Sequence, residues 1–170
     1  MKNIILTGYR FYATGVFGYT FYENDEKICS ISSYVVFSPP ATIIGFSREW
    51  VSDFEEKKEV KPGTERKIID KSDGKTVSGI VYLEKDKYQI GESIIVRCEH
   101  GQYIFYNDGK VVAKIKRIDN TDEIANRRQI PADLYDRYEC EPYFEVLTDE
   151  AISKENLMLI LSFPMLRFGK

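Results

Sequence analysis

Histidine and tryptophan occur once each in this chain of 170 residues, as His100 and Trp50, and cysteine three times, as Cys29, Cys98 and Cys140. A single imidazole excludes the multi-histidine metal centres. The odd, widely spaced cysteines, with no C-x-x-C, support neither a disulfide framework nor a zinc knuckle. Free thiols fit a reducing, cytoplasmic setting. Also missing are a G-x-S-x-G elbow, a P-loop, a dinucleotide-binding glycine pattern and an H-E-x-x-H helix, so no motif calls for a cofactor, a metal or a hydrolase mechanism.

Positive charge is not in excess. Lys and Arg number 24 against 27 Asp and Glu, a net charge of −3, so no overall field draws the chain to nucleic-acid phosphates or acidic lipid, and any such binding must be local. Long apolar runs are missing too. The first ten residues lack the apolar stretch and small-residue cleavage site of a secretory signal. The longest run, 157–166, falls short of the roughly 20 residues that cross a bilayer. That run, interrupted only by Ser162 and Pro164, reads as a buried core helix.

What is present is aromatic and repetitive. Twelve Tyr and 10 Phe suit half-buried strands, and 43% hydrophobic content over this length fits one domain, 1–170, with its own core. The octad D-G-K-x-V-x-x-I occurs twice, from Asp73 and from Asp108, each time after a short apolar run. Asp-Gly takes the positive φ angles of a tight hairpin, so the repeat predicts antiparallel sheet. Around it, Ile94, Val96 and Cys98 alternate with Arg97 and Glu99, His100-Gly101 reverses the chain into 102–106, and Ala113 and Ile115 alternate with Lys114 and Lys116. Strands are also expected over 16–22, 27–31, 34–37 and 143–147, with Asn24-Asp25 a turn and Ser38-Pro39-Pro40 a break. The charged stretch 47–60 reads either as a short helix with Trp50 and Phe54 on one side or as an excursion between strands. The polar stretch 119–128 reads as loop and 131–138 as one or two helical turns. A final helix, about 153–167, is expected to start at Asp149, Glu150 or Ser153 and to be kinked or ended near 160–163 by Pro164. Apolar nearly all round, it has to be enclosed.

The order of these parts, a meander with D-G-K hairpins followed by a greasy carboxy-terminal helix, resembles the tubby carboxy-terminal-like superfamily, which includes LURP-one-related proteins and phospholipid scramblases. The resemblance is carried by 103–116 and by Tyr143-Phe144-Glu145-Val146-Leu147 leading into 157–166, and it extends from about Val16 onward. It implies an all-β fold: a closed antiparallel barrel wrapped around a central hydrophobic α-helix. It also implies a non-catalytic binding module whose outer face recognises an anionic lipid headgroup or a protein partner.

Lys110, Lys114, Lys116 and Arg117 cluster charge on and beside one hairpin and form the candidate anion-binding patch. The competing reading is a solvated strand face that guards against aggregation. Two other functions stand beside the binding module: a scramblase-type protein whose last helix contacts lipid, and an enzyme using Cys98, two residues from His100, or a carboxylate pair such as Asp70 and Asp73. The acidic stretch 119–123 lacks the glycine and terminal glutamate of a calcium loop, and Asp70 and Asp73 read as turn residues.

Overall fold

In the computed structural model, residues 2–13, 16–34, 41–53, 60–118 and 141–167 are described. Twelve strands follow one another: β1 (Asn3–Ala13), β2 (Val16–Glu23), β3 (Glu26–Tyr34), β4 (Thr42–Gly45), β5 (Arg48–Ser52), β6 (Glu65–Asp70), β7 (Thr76–Glu84), β8 (Lys87–Ile90), β9 (Ile94–Glu99), β10 (Gln102–Asn107), β11 (Lys110–Arg117) and β12 (Glu141–Asp149). Among the described residues a single helix, α1 (Lys154–Leu166), completes the fold. Each strand pairs antiparallel with its neighbour in sequence, and β1 pairs with β12, so the meander closes on itself as a barrel. Closure removes both sheet edges and with them the unpaired amides that invite aggregation.

Turn chemistry sets the hairpins. Asp108 and Gly109 between β10 and β11 have φ of 51° and 76°, and His100 and Gly101 between β9 and β10 have 51° and 75°, the left-handed pair that a two-residue turn with matching twist needs. The first D-G-K copy behaves differently. Only its glycine, Gly74, has positive φ, and it sits in a longer turn in which the Gly74 amide donates to the Asp70 carbonyl and the Ser72 amide and hydroxyl to the Asp70 carboxylate. One octad therefore serves two loop lengths.

All twelve strands turn at least one side chain into a common core, including Leu6, Ile43, Trp50, Ile68, Ile80 and Val146. The seam shows how closely this is packed. Gly8 of β1 stands in register between Phe144 of β12 and Phe21 of β2, and the two rings stack across it at 6.4 Å and 11°. A Cβ on Gly8 would stand 2.6 Å from the Phe21 ring, so only glycine lets these rings meet.

Strand side chains alone fill a barrel of about eight strands. Twelve enclose more, and α1, about 10–12 Å across with its side chains, occupies the difference. Every residue from Leu157 to Phe163 is buried. The helix approaches β3 and β4 on one side, and Phe163 meets Tyr88 of β8 and Tyr103 and Phe105 of β10 on the other. Those walls lie about half the ring apart, so α1 runs inside the barrel, and its apolar surface is covered by protein. Ser153 caps the helix, its hydroxyl accepting from the Asn156 amide at 3.1 Å, with Glu155 favourably placed in the first turn.

The expected barrel around a hydrophobic helix is thus what the chain forms. Three expectations need correction. Residues 47–60 contain no described helix: 48–52 is β5, and Trp50 points into the core from a strand, paired with Ile43 and Asp70. Phe54 lies outside the described residues, as do 35–40, Cys140 and the stretch 119–140. Pro164 does not end the helix at 160–163. It sits in the last turn, where its ring deprives only the Ile160 carbonyl of a donor, and the burial of Leu166 with the bond from the Arg167 amide to the Phe163 carbonyl carries the helix on to Leu166. Finally, the fold begins before Val16, because β1 is the strand that closes the ring.

Candidate functional site

Strand period decides where the four predicted basic residues go. On β11, Ala113 and Ile115 are buried, so Lys114 and Lys116 face outward and Arg117 does not, while a bulge at Val112 breaks the alternation before Lys110, whose register partner is Asn107 at the end of β10. Lys110 and Arg117 are also seven residues apart, about 23 Å along a strand, too far for one headgroup to touch both. The predicted cluster therefore divides into an outer-face pair, Lys114 and Lys116, with Lys110 at the β10–β11 turn and Arg117 at the barrel's mouth.

The outer face gathers charge from strands that the hairpin alone did not suggest. In one register row, Leu147 of β12, Lys114 of β11, Ile104 of β10, Arg97 of β9 and Lys87 of β8 follow one another around the barrel. Arg97 and Lys87 are direct cross-strand partners, an arrangement of like charges that destabilises a sheet unless something neutralises it. Lys87 has Glu84 at 3.8 Å, whereas Arg97 and Lys114 have no ion pair among the described residues. Lys116 differs, having Glu145 as its register partner on β12. Beside the row lies an open groove of about 520 Å³ lined by Lys87, Gln89, Ile95, Arg97 and Tyr106, with Glu92 and Asp108 also in its lining.

The mouth lies where α1 ends. A cavity of about 320 Å³ is lined by Tyr19, Gly101, Tyr103, Arg117, Tyr143, Phe144, Pro164 and Arg167. Arg10 and Arg117 lie over the Tyr143 ring at 4.5 and 4.7 Å, and Arg167 lies over Tyr103 at 5.3 Å. The Arg167 charge also acts on the Cys98 thiol. Sequence reading missed Arg10 and Arg167, because three arginines from β1, from the end of β11 and from beyond α1 share no local pattern.

Among the described residues, the geometry does not assemble the nucleophile considered from sequence. Cys98 faces inward on β9 while His100 is exposed in the following turn, so the two do not form a dyad. Burial pushes the Cys98 thiol above its ordinary value despite the opposing Arg167 charge, which disfavours the reactive thiolate. Asp70 accepts from Ser72, and Asp73 from the Lys75 amide, as turn residues do. Among the described residues no group of three His, Cys, Asp or Glu side chains is placed to hold a metal ion. The stretch 119–123, considered for calcium, lies outside the described residues. No described helix is long and apolar enough to cross a membrane.

The second described thiol makes a stability prediction. Burial raises Cys29 from 9.0 to about 12, so in the unfolded chain it loses its proton at lower pH than in the fold. Stability is full below about pH 9 and falls as pH rises from there toward 12, at about 1.4 kcal/mol per pH unit for one proton. Tyr88, raised from 10.0 to about 12 mainly by burial, acts in the same direction. Urea midpoints measured across that range should decline, and Cys29→Ala should flatten the decline. An unchanged slope in the variant would mean that Cys29 is not its source.

Compared with protein-family models, with curated proteins and with solved structures, the chain matches none.

Proposed function

We propose that this protein is a non-catalytic binding module that recognises anionic lipid headgroups on the outer face of its barrel, in the manner of the tubby-like proteins it resembles, and works in a reducing, cytoplasmic setting. The observation that carries this reading is the row of Lys114, Arg97 and Lys87, in which two cations are direct cross-strand partners. Opposed like charges cost stability in the free protein, and a surface of phosphates would recover it. The row is spread over four strands, with the buried Ile104 between Lys114 and Arg97, and so spread it suits several headgroups better than one enclosed molecule. Net charge of −3 is no obstacle, since charge felt at a membrane is local within a Debye length of about 8 Å at physiological salt.

Each cation near an anionic leaflet contributes about 1 kcal/mol. The triple variant Lys87→Ala, Arg97→Ala, Lys114→Ala should therefore weaken co-sedimentation with vesicles containing phosphatidylserine by about 100-fold, with no change on pure phosphatidylcholine. Raising salt should weaken the parent in the same way. If the triple variant sediments like the parent, the lipid reading fails. Loss of a protein partner with no effect on vesicles would instead make this face a protein interface.

A further inference from the structure

The arginine-lined mouth is a second site, apart from the outer face. Arg117 and Arg167 enter it from opposite directions, one at the end of β11 and one just past α1, and neither has an ion pair among the described residues. Among the described residues no carboxylate lines the cavity. Arg10 adds a third guanidinium over Tyr143 but has other partners of its own.

Stacking explains how such cations are held. A guanidinium that lies flat on a tyrosine ring uses its face and keeps its edge N–H donors for something else. Arg117 over Tyr143 and Arg167 over Tyr103 lie within cation–π distance, with their N–H donors available for a ligand. The carboxy-terminal end of α1 brings about half a negative charge to the mouth, which leaves the two arginines with an excess near +1.5. A cation is repelled there, and a neutral ligand leaves the charge unanswered. The remaining walls are Tyr19, Phe144 and Pro164, which are flat and mostly apolar.

We propose that this mouth binds a compact oxyanion, a phosphate monoester or a carboxylate, carried on a flat aromatic or apolar body. The oxyanion takes the edges of Arg117 and Arg167, and the body lies against the rings. A volume of about 320 Å³ is at the lower end for ligand sites, room for roughly ten heavy atoms at the ~30 Å³ share of a water molecule.

The test is a titration followed by nuclear magnetic resonance of backbone amides and arginine Nε–H groups. Four probes separate the chemistry: phenyl phosphate, benzoate, inorganic phosphate and phenol. Phenyl phosphate or benzoate should shift Arg117, Arg167, Gly101 and Tyr143 saturably, whichever binds tighter identifying the oxyanion. Inorganic phosphate should bind at least tenfold more weakly, and phenol should not saturate. Arg117→Gln with Arg167→Gln should weaken binding at least tenfold in a protein whose amide dispersion matches the parent. If that double variant does not fold, Arg117→Lys, which keeps the charge and loses the fork, should still weaken binding measurably. The triple variant at Lys87, Arg97 and Lys114 should bind these probes like the parent, so failure here and failure of the lipid reading are told apart. The proposal is overturned if no probe saturates, if the folded arginine variants bind unchanged, or if the shifts fall on the outer face.

Discussion

Ile160→Asp is expected to abolish folding. Ile160 is fully buried at the centre of α1, with the barrel wall on every side. A carboxylate there has no partner and no water, a cost of several kcal/mol on top of the lost apolar burial, in a protein whose whole margin is about 5–15 kcal/mol. The expected readout is insoluble or protease-sensitive product with no cooperative transition in circular dichroism. Lys154→Gln, at an exposed position of the first helical turn, supplies the control and should stay within about 0.5 kcal/mol of the parent. A soluble Ile160→Asp protein with a normal melt would mean that α1 is not enclosed. The helix would then lie free to contact a bilayer, as the scramblase-type reading requires.

Phe163→Ala should cost about 3–5 kcal/mol without changing the fold. The ring is fully buried and meets Tyr88, Tyr103 and Phe105 edge to face at 5.1, 5.3 and 5.7 Å, so it ties the end of α1 to two strands of the far wall. Aromatic pairs in this geometry add about 0.5–1.5 kcal/mol each beyond area burial. Phe163→Leu, which keeps most of the volume, should cost distinctly less. Urea unfolding with an unchanged slope and a lower midpoint is the expected signature. A loss below about 1 kcal/mol for the alanine variant would show that the helix end is held by something else.

Both expectations rest on the helix, and the helix is the part most legible in the primary structure. A segment with no polar stripe has only one stable place in water, inside, and no knowledge of its neighbours is needed to say so. The meander was equally readable from 94 to 116, because period-two alternation and left-handed turn residues are local properties. Reading failed at 47–60 for a physical reason. β5 spans five residues, of which only Trp50 and Ser52 are buried, so its inward signal is too short to distinguish a period of two from one of 3.6. Pairing with β4 and β6 makes it a strand.

The candidate sites were legible only in part. Lys114 was marked correctly as an outward residue, but its neighbours in the charged row, Arg97 and Lys87, are 17 and 27 positions away and become adjacent through register alone. Arg117 looked like the fourth member of a lysine cluster, and strand parity separates it from Lys114 and Lys116.

By itself, then, the chain's chemistry determined the antiparallel class, the tight turns at Asp108 and His100, and the enclosure of the last helix, since each follows from forces acting within a few residues. The tertiary structure alone decided that β1 meets β12, that Gly8 makes room for two stacked rings, and that arginines from β1, β11 and the end of α1 share one mouth. Those are matters of closure. Where a ring of strands meets itself depends on the register of every pair around it, and no single segment holds that information.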